Sequence, residues 1–196
     1  LSALFSRYGK KYDFDYLLIA ALAYKESGFN NNLVGSRGAV GIMQILPSTA
    51  RDPNINIKNI RNLENNVHAG VKYMAFLRRQ YFSDKAITAE NKIYFTLAAY
   101  NAGPGNVEKI RKRAARNGFD PNVWFNNVEV EMRKSLSATA GYVTTINRYY
   151  IIYKQLESLD LAKTLDNVLL IPEDPVFMIP LRKVHQETES KKPLIN

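Results

Sequence analysis

Three stretches hold the residue types best suited to chemistry. Glu26 closes an apolar run, Leu17 to Ala23, and is followed by Ser27 and Gly28. A carboxyl kept in apolar surroundings holds its proton to higher pH, which makes a general acid available near neutrality. Gln44 is the single neutral amide in Gly38-Ala39-Val40-Gly41-Ile42-Met43-Gln44-Ile45-Leu46-Pro47, a segment that otherwise reads as buried. An amide there needs a partner in the chain or a ligand. Asn101 follows Tyr100 in Ala98-Ala99-Tyr100-Asn101-Ala102-Gly103-Pro104-Gly105. No strand signal precedes that stretch and no Lys-Ser/Thr follows, so it is not a phosphate loop. Taken singly, each stretch has a plain reading: a surface carboxylate, a packed loop, a helix stop.

Other chemistries are poorly supported. The 196 residues include no Cys, which removes thiol nucleophiles, disulfides and thiolate metal sites. The only two His, His68 and His185, are far apart and outside any H-E-x-x-H pattern. A His-based metal centre or a Ser–His–Asp site is therefore poorly supported. The net charge of +9 favours a polyanionic partner, and nucleic acid, an anionic membrane and an acidic wall polymer all qualify. The basic run Lys109, Arg111, Lys112, Arg113 and Arg116 lacks interleaved aromatics and a helix-turn-helix partner, so nucleic acid is not expected and a solvated face is the simpler account.

The elements that must carry these residues are helices, so the fold class expected is mainly all-α. Leu1, Leu4, Phe5 and Tyr8 mark an opening helix that Gly9 should end. Asp13 or Asp15 can cap a second helix that stops at Ser27-Gly28, leaving Glu26 in its last turn. Residues 30–38 read as loop, and a short helical segment through Val40, Ile42, Met43 and Ile45 should be interrupted by Pro47. Asn62 opens an amphipathic helix with Leu63, Val67, Val71, Met74 and Leu77 on one stripe. A nearly apolar helix from about Ala89 to Tyr100 is the candidate for the centre. A basic helix should run from Asn106 to Asn117, and a long one from Ser137 to Leu156, with Tyr142, Ile146, Tyr149 and Tyr153 facing inward. Beyond Leu159 four of the eight Pro occur, which suggests an extended arm using Val168, Leu169, Ile171, Val176, Phe177 and Ile179 as contacts.

In this order and spacing the blocks resemble the lysozyme-like lytic transglycosylases (the SLT-domain family), in particular the catalytic domain of the membrane-bound F type. Glu26-Ser27-Gly28-Phe29 is similar to the catalytic-Glu block, and Gly38 to Ala50 to the block G-x-x-G-x-M-Q-x-x-P-x-T-A. Ala99-Tyr100-Asn101-Ala102-Gly103-x-Gly105 and Tyr142-Val143-x-x-Ile146-x-x-Tyr149-Tyr150 are similar to the third and fourth. The likeness implies a lysozyme-like catalytic domain over residues 1–158, with 159–196 a separate arm of unassigned role. It implies cleavage of the β-1,4 bond between N-acetylmuramic acid and N-acetylglucosamine, leaving 1,6-anhydro ends, with Glu26 as both acid and base. It also implies that Met43, Gln44, Tyr100 and Asn101 line the cleft, with Gln44 and Asn101 donating to sugar oxygens. Tyr142 should help fix the Glu26 carboxyl, and Ser27 should do the same or cap the backbone; no metal and no organic cofactor are implied.

Two further readings concern context. No acidic residue occurs in 28–51 or 94–107, which fits a mechanism using one carboxylate. The family's fourth block usually places Glu-Thr ahead of Tyr-Val, whereas this chain has Ala138-Thr139. That departure keeps a catalytically impaired wall-binding module in view, beside a muramidase that hydrolyses the same bond. The implied partner is peptidoglycan glycan strands, met by a monomer in the periplasm or cell envelope. Membrane attachment or a sensor domain would lie ahead of Leu1.

Overall fold

A computed structural model describes residues 1–158, and the tail contacts expected from Val168 to Ile179 lie outside the described residues. The described residues form eight α-helices: α1 Ser2–Tyr12, α2 Tyr16–Ser27, α3 Pro47–Arg51, α4 Leu63–Tyr81, α5 Ala89–Ala102, α6 Pro104–Arg116, α7 Glu129–Ser135 and α8 Ser137–Ser158. A kinked turn, Trp124–Val128, leads into α7, with Phe125 and Asn126 outside helical geometry. Among the described residues β-structure is limited to two isolated bridges, Val34–Val40 and Val40–Ile45.

Side-chain caps fix the helix starts. Asp15 accepts from the Leu17 N–H at 2.9 Å, Asn62 from Asn65 at 3.1 Å and Thr88 from Asn91 at 3.3 Å. Two helices form the interior. Residues Leu17 to Ala23 of α2 are buried without interruption, as are Tyr94 to Ala99 of α5. Such all-round burial needs neighbours on every side. For α2 these include α1 and α8; α5 lies among α4, α6 and α8. The central role expected of α5 is thus shared with α2.

Three expectations are corrected. Gly9 does not end α1, which continues to Tyr12 and closes on Asp13 in the left-handed region. Gly9 is buried instead, and a Cβ there would come within 2.6 Å of the Phe14 carbonyl oxygen. Residues 40–45 are not helical: Val40 and Ile45 exchange backbone hydrogen bonds at 3.0 and 3.1 Å around a tight turn. Pro47 opens a helix rather than interrupting one, standing at the first turn of α3 where its missing N–H is harmless.

Candidate active site

Glu26 sits where α2 runs out. Gly28 takes a left-handed conformation (φ 58°) and its N–H closes on the Tyr24 carbonyl, so the helix ends one turn beyond the core. The Ser27 hydroxyl donates to the Ile42 carbonyl at 2.8 Å, with the Ala23 carbonyl 3.2 Å away. Ser27 therefore pins the 40–45 turn to the end of α2 and does not line the cleft.

That turn is the second wall. Gly41 (φ 82°) and Gln44 (φ 46°) both adopt left-handed backbone, which reverses the chain within four residues. The reversal is held by Asn66, a fully buried residue of α4. Its Oδ1 accepts from the Met43 N–H at 2.8 Å, and its Nδ2 donates to the carbonyls of Val40 (2.9 Å) and Ile60 (2.7 Å). Gly41 is required here for space as well as for φ, since a Cβ would lie 2.1 Å from Asn66 Nδ2. Asn66 was not singled out in the sequence, although an Asn inside an apolar helical stripe is a signal that could have found it.

The third wall is the end of α5, backed by the first turns of α8. Tyr100 donates to the Met43 carbonyl at 2.7 Å, and its ring lies 5.4 Å from that of Tyr73 on α4. Asn101 Oδ1 accepts from the Thr139 hydroxyl at 2.8 Å. Tyr142, one turn further along α8, donates its hydroxyl to Glu26 Oε1.

These walls enclose a cleft of about 340 Å³ lined by Glu26, Gln44, Tyr73, Tyr100 and Asn101, with Arg37 and Thr49 also contributing. Among the described residues Glu26 is the only carboxylate in that lining. Burial raises its proton affinity above the ordinary carboxylate range, and the Tyr142 hydrogen bond, Lys25 and Arg37 oppose the rise. Burial and the neighbouring Glu26 push the Tyr100 and Tyr142 hydroxyls well above the usual tyrosine value, so both stay protonated donors.

The structure thus brings Glu26, Gln44, Tyr100 and Asn101 to one cleft and Tyr142 to the Glu26 carboxyl. Met43 is placed elsewhere. Its side chain is fully buried against Gly70 of α4, where an added Cβ would come within 2.7–2.9 Å of it. The physical reason is the turn: as a hairpin rather than a helix, residues 40–45 send Met43 inward and only its carbonyl serves the site. Gln44 also differs from expectation in its polarity. Its Nε2 already donates to the carbonyls of Leu33 (3.1 Å) and Gly41 (2.9 Å), which leaves Oε1 as the atom it can offer. Tyr73 in the cleft lining and Thr139 behind Asn101 were missed, because only the tertiary fold brings them there. Glu131 does not replace the carboxylate absent at Ala138, because it is committed to Arg113, Lys134 and Asn117.

The helical body, with a proton-retaining carboxyl at the end of a buried helix, is of the lysozyme-like class. The chain belongs to the transglycosylase SLT-domain family, whose model matches residues 3–123. It is 30% identical over 162 residues to the membrane-bound lytic murein transglycosylase F of Pseudomonas fluorescens, covering 76% of this chain and 32% of that protein. With the protein of the same name from Histophilus somni the identity is 33% over 147 residues, 75% of this chain and 29% of the relative. Among solved structures it is similar to the 70 kDa soluble lytic transglycosylase of Escherichia coli, with a TM-score of 0.63 and 27% identity over 79% of this chain and 24% of that one. The chain therefore spans about a third of the curated relatives' length.

Proposed function

We propose that this domain is the catalytic part of a lytic murein transglycosylase that cleaves between N-acetylmuramic acid and N-acetylglucosamine and leaves a 1,6-anhydro end. The observation that supports the reading is a cleft with one carboxylate among the described residues of its lining, held toward its protonated form. Glycosidases that use water, or a covalent intermediate, ordinarily need a second carboxylate across the bond. A single Glu suffices if the substrate supplies its own nucleophile.

Glu26 first gives its proton to the glycosidic oxygen as the bond from C1 breaks. The muramic C6 hydroxyl then attacks C1, and the Glu26 carboxylate takes the hydroxyl proton. One C–O bond breaks, one forms, and Glu26 ends protonated as it began. Tyr142 contributes by donating to Oε1, which leaves Oε2 as the oxygen that carries the transferable proton. The membrane-bound relatives and the acidic wall polymer both suit an envelope location, and the +9 charge favours attraction to that polymer. Among the described residues no helix is long and apolar enough to cross a membrane.

The test is mass spectrometry of soluble products from digested peptidoglycan. Muropeptides lighter by one water than hydrolysis products are expected, and Glu26→Gln should abolish their release. Hydrated, reducing ends would replace this reading with a muramidase. Binding to sacculi without any product would mark an inactive wall-binding module.

A further inference from the structure

Thr139 and Asn101 form a pair that the proposed mechanism does not use. Thr139 lies in the first turn of α8 and is 4% exposed, and its hydroxyl donates to Asn101 Oδ1 at 2.8 Å. Asn101 stands in the last turn of α5 and lines the cleft, where its Nδ2 has no polar partner among the described residues. The two ends of an Asn amide are nearly identical in shape, so an unrestrained amide can present either a donor or an acceptor to a ligand.

Here the choice is fixed by burial. If the amide turned over, Nδ2 would donate to the Thr139 oxygen and the Thr139 proton would need another acceptor. The described residues offer that hydroxyl no other hydrogen bond. Leaving a buried donor unpaired is costly, whereas the observed orientation satisfies it. Thr139 also stands three residues before Tyr142, on the same face of α8. One helical turn thus holds both the proton donor's carboxyl and the cleft amide.

We propose that Thr139 is a positioning residue that locks the Asn101 amide with Nδ2 facing the cleft, so that the site presents a hydrogen-bond donor to an oxygen acceptor of the bound sugar. The inference rests on the reading of the cleft as a glycan site. It assigns Thr139 no contact with substrate. It also makes Asn101 the donor complement of Gln44, whose free atom is an acceptor.

The experiment is a double-mutant cycle on soluble, uncrosslinked glycan strands, with KM and kcat taken from product release and binding measured in a Glu26→Gln background. Thr139→Val should raise KM and Kd about tenfold, as loss of one ligand hydrogen bond does, with kcat changed less. Thr139→Ser keeps the hydroxyl and should restore most of the affinity. In an Asn101→Ala background the Thr139→Val change should have no further effect on binding, because the amide it orients is gone. Equal losses from Thr139→Val with and without Asn101 would overturn the proposal, as would failure of Ser to rescue. Hydrated products from a parent that still obeys the cycle would refute the transglycosylase reading alone. No binding of glycan by the Glu26→Gln protein would refute both.

Discussion

The side-chain Oδ1 of Asn66 accepts the backbone N–H of Met43 at 2.8 Å, tying the first turn of α4 to the turn that forms one wall of the cleft. The same amide serves two carbonyls through Nδ2, so one buried side chain satisfies three backbone groups. Asn66→Ala should therefore destabilise the domain by about 2–5 kcal/mol, the cost of several buried polar groups left unpaired. Denaturant unfolding checks this. A loss below about 1 kcal/mol would mean that the turn finds other partners.

Glu26→Gln should affect stability in a pH-dependent way. The folded protein raises the carboxyl's proton affinity above its ordinary 4.5. A group shifted in that direction favours the fold fully below 4.5, and that contribution fades as pH rises through the folded value. Gln carries no charge and escapes the loss. Melting temperatures of parent and variant should coincide in acid, and the variant should lie higher at neutral pH. A variant that melts lower at neutral pH would show that the ionised carboxylate is stabilising.

Tyr142→Phe removes the donor to Glu26 Oε1. That hydrogen bond lowers the carboxyl's proton affinity, so its loss should raise it further. The alkaline limb of the activity profile should move to higher pH. The maximal rate should fall about 10–100-fold, because the carboxyl is no longer held in place. An unchanged limb would separate Tyr142 from the titration of Glu26.

Glu131 is the opposite case. Its side chain is 1% exposed, and hydrogen bonds from Lys134, Asn117 and Arg113 hold it down to about 2. A depressed carboxyl stabilises the fold above its ordinary 4.5, and the contribution is lost as pH falls through about 2. Glu131→Gln should melt well below the parent at neutral pH, and the gap should close on acidification across that window. A gap of constant size would point to packing in place of charge.

Local signals made much of the scaffold legible in the sequence. Asp15 and Asn62 cap their helices as their positions suggest, and Gly28 stops α2 where Ser27-Gly28 indicates. These features depend on neighbours within one turn, and a sequence carries that information directly. The four blocks, read through their family likeness, point to Glu26, Met43, Gln44, Tyr100 and Asn101 at one cleft, and all of these but Met43 line it.

Tertiary structure decided what depends on distant partners. The apolar run Val40 to Ile45 suits a helical turn as well as a hairpin, and the hairpin forms because Asn66, Asn31 and Ser27 hold its backbone from elsewhere in the chain. That choice turns Met43 into the core and leaves Gln44 an acceptor. Tyr142 and Thr139 reach the site across 116 and 38 positions of sequence, separations at which no local period survives. Residue patterns marked α1, α2, α4, α5, α6 and α8; the packing of α8 against α2 and α5 fixed which side chains reach Glu26 and Asn101 and which way their hydrogen bonds run.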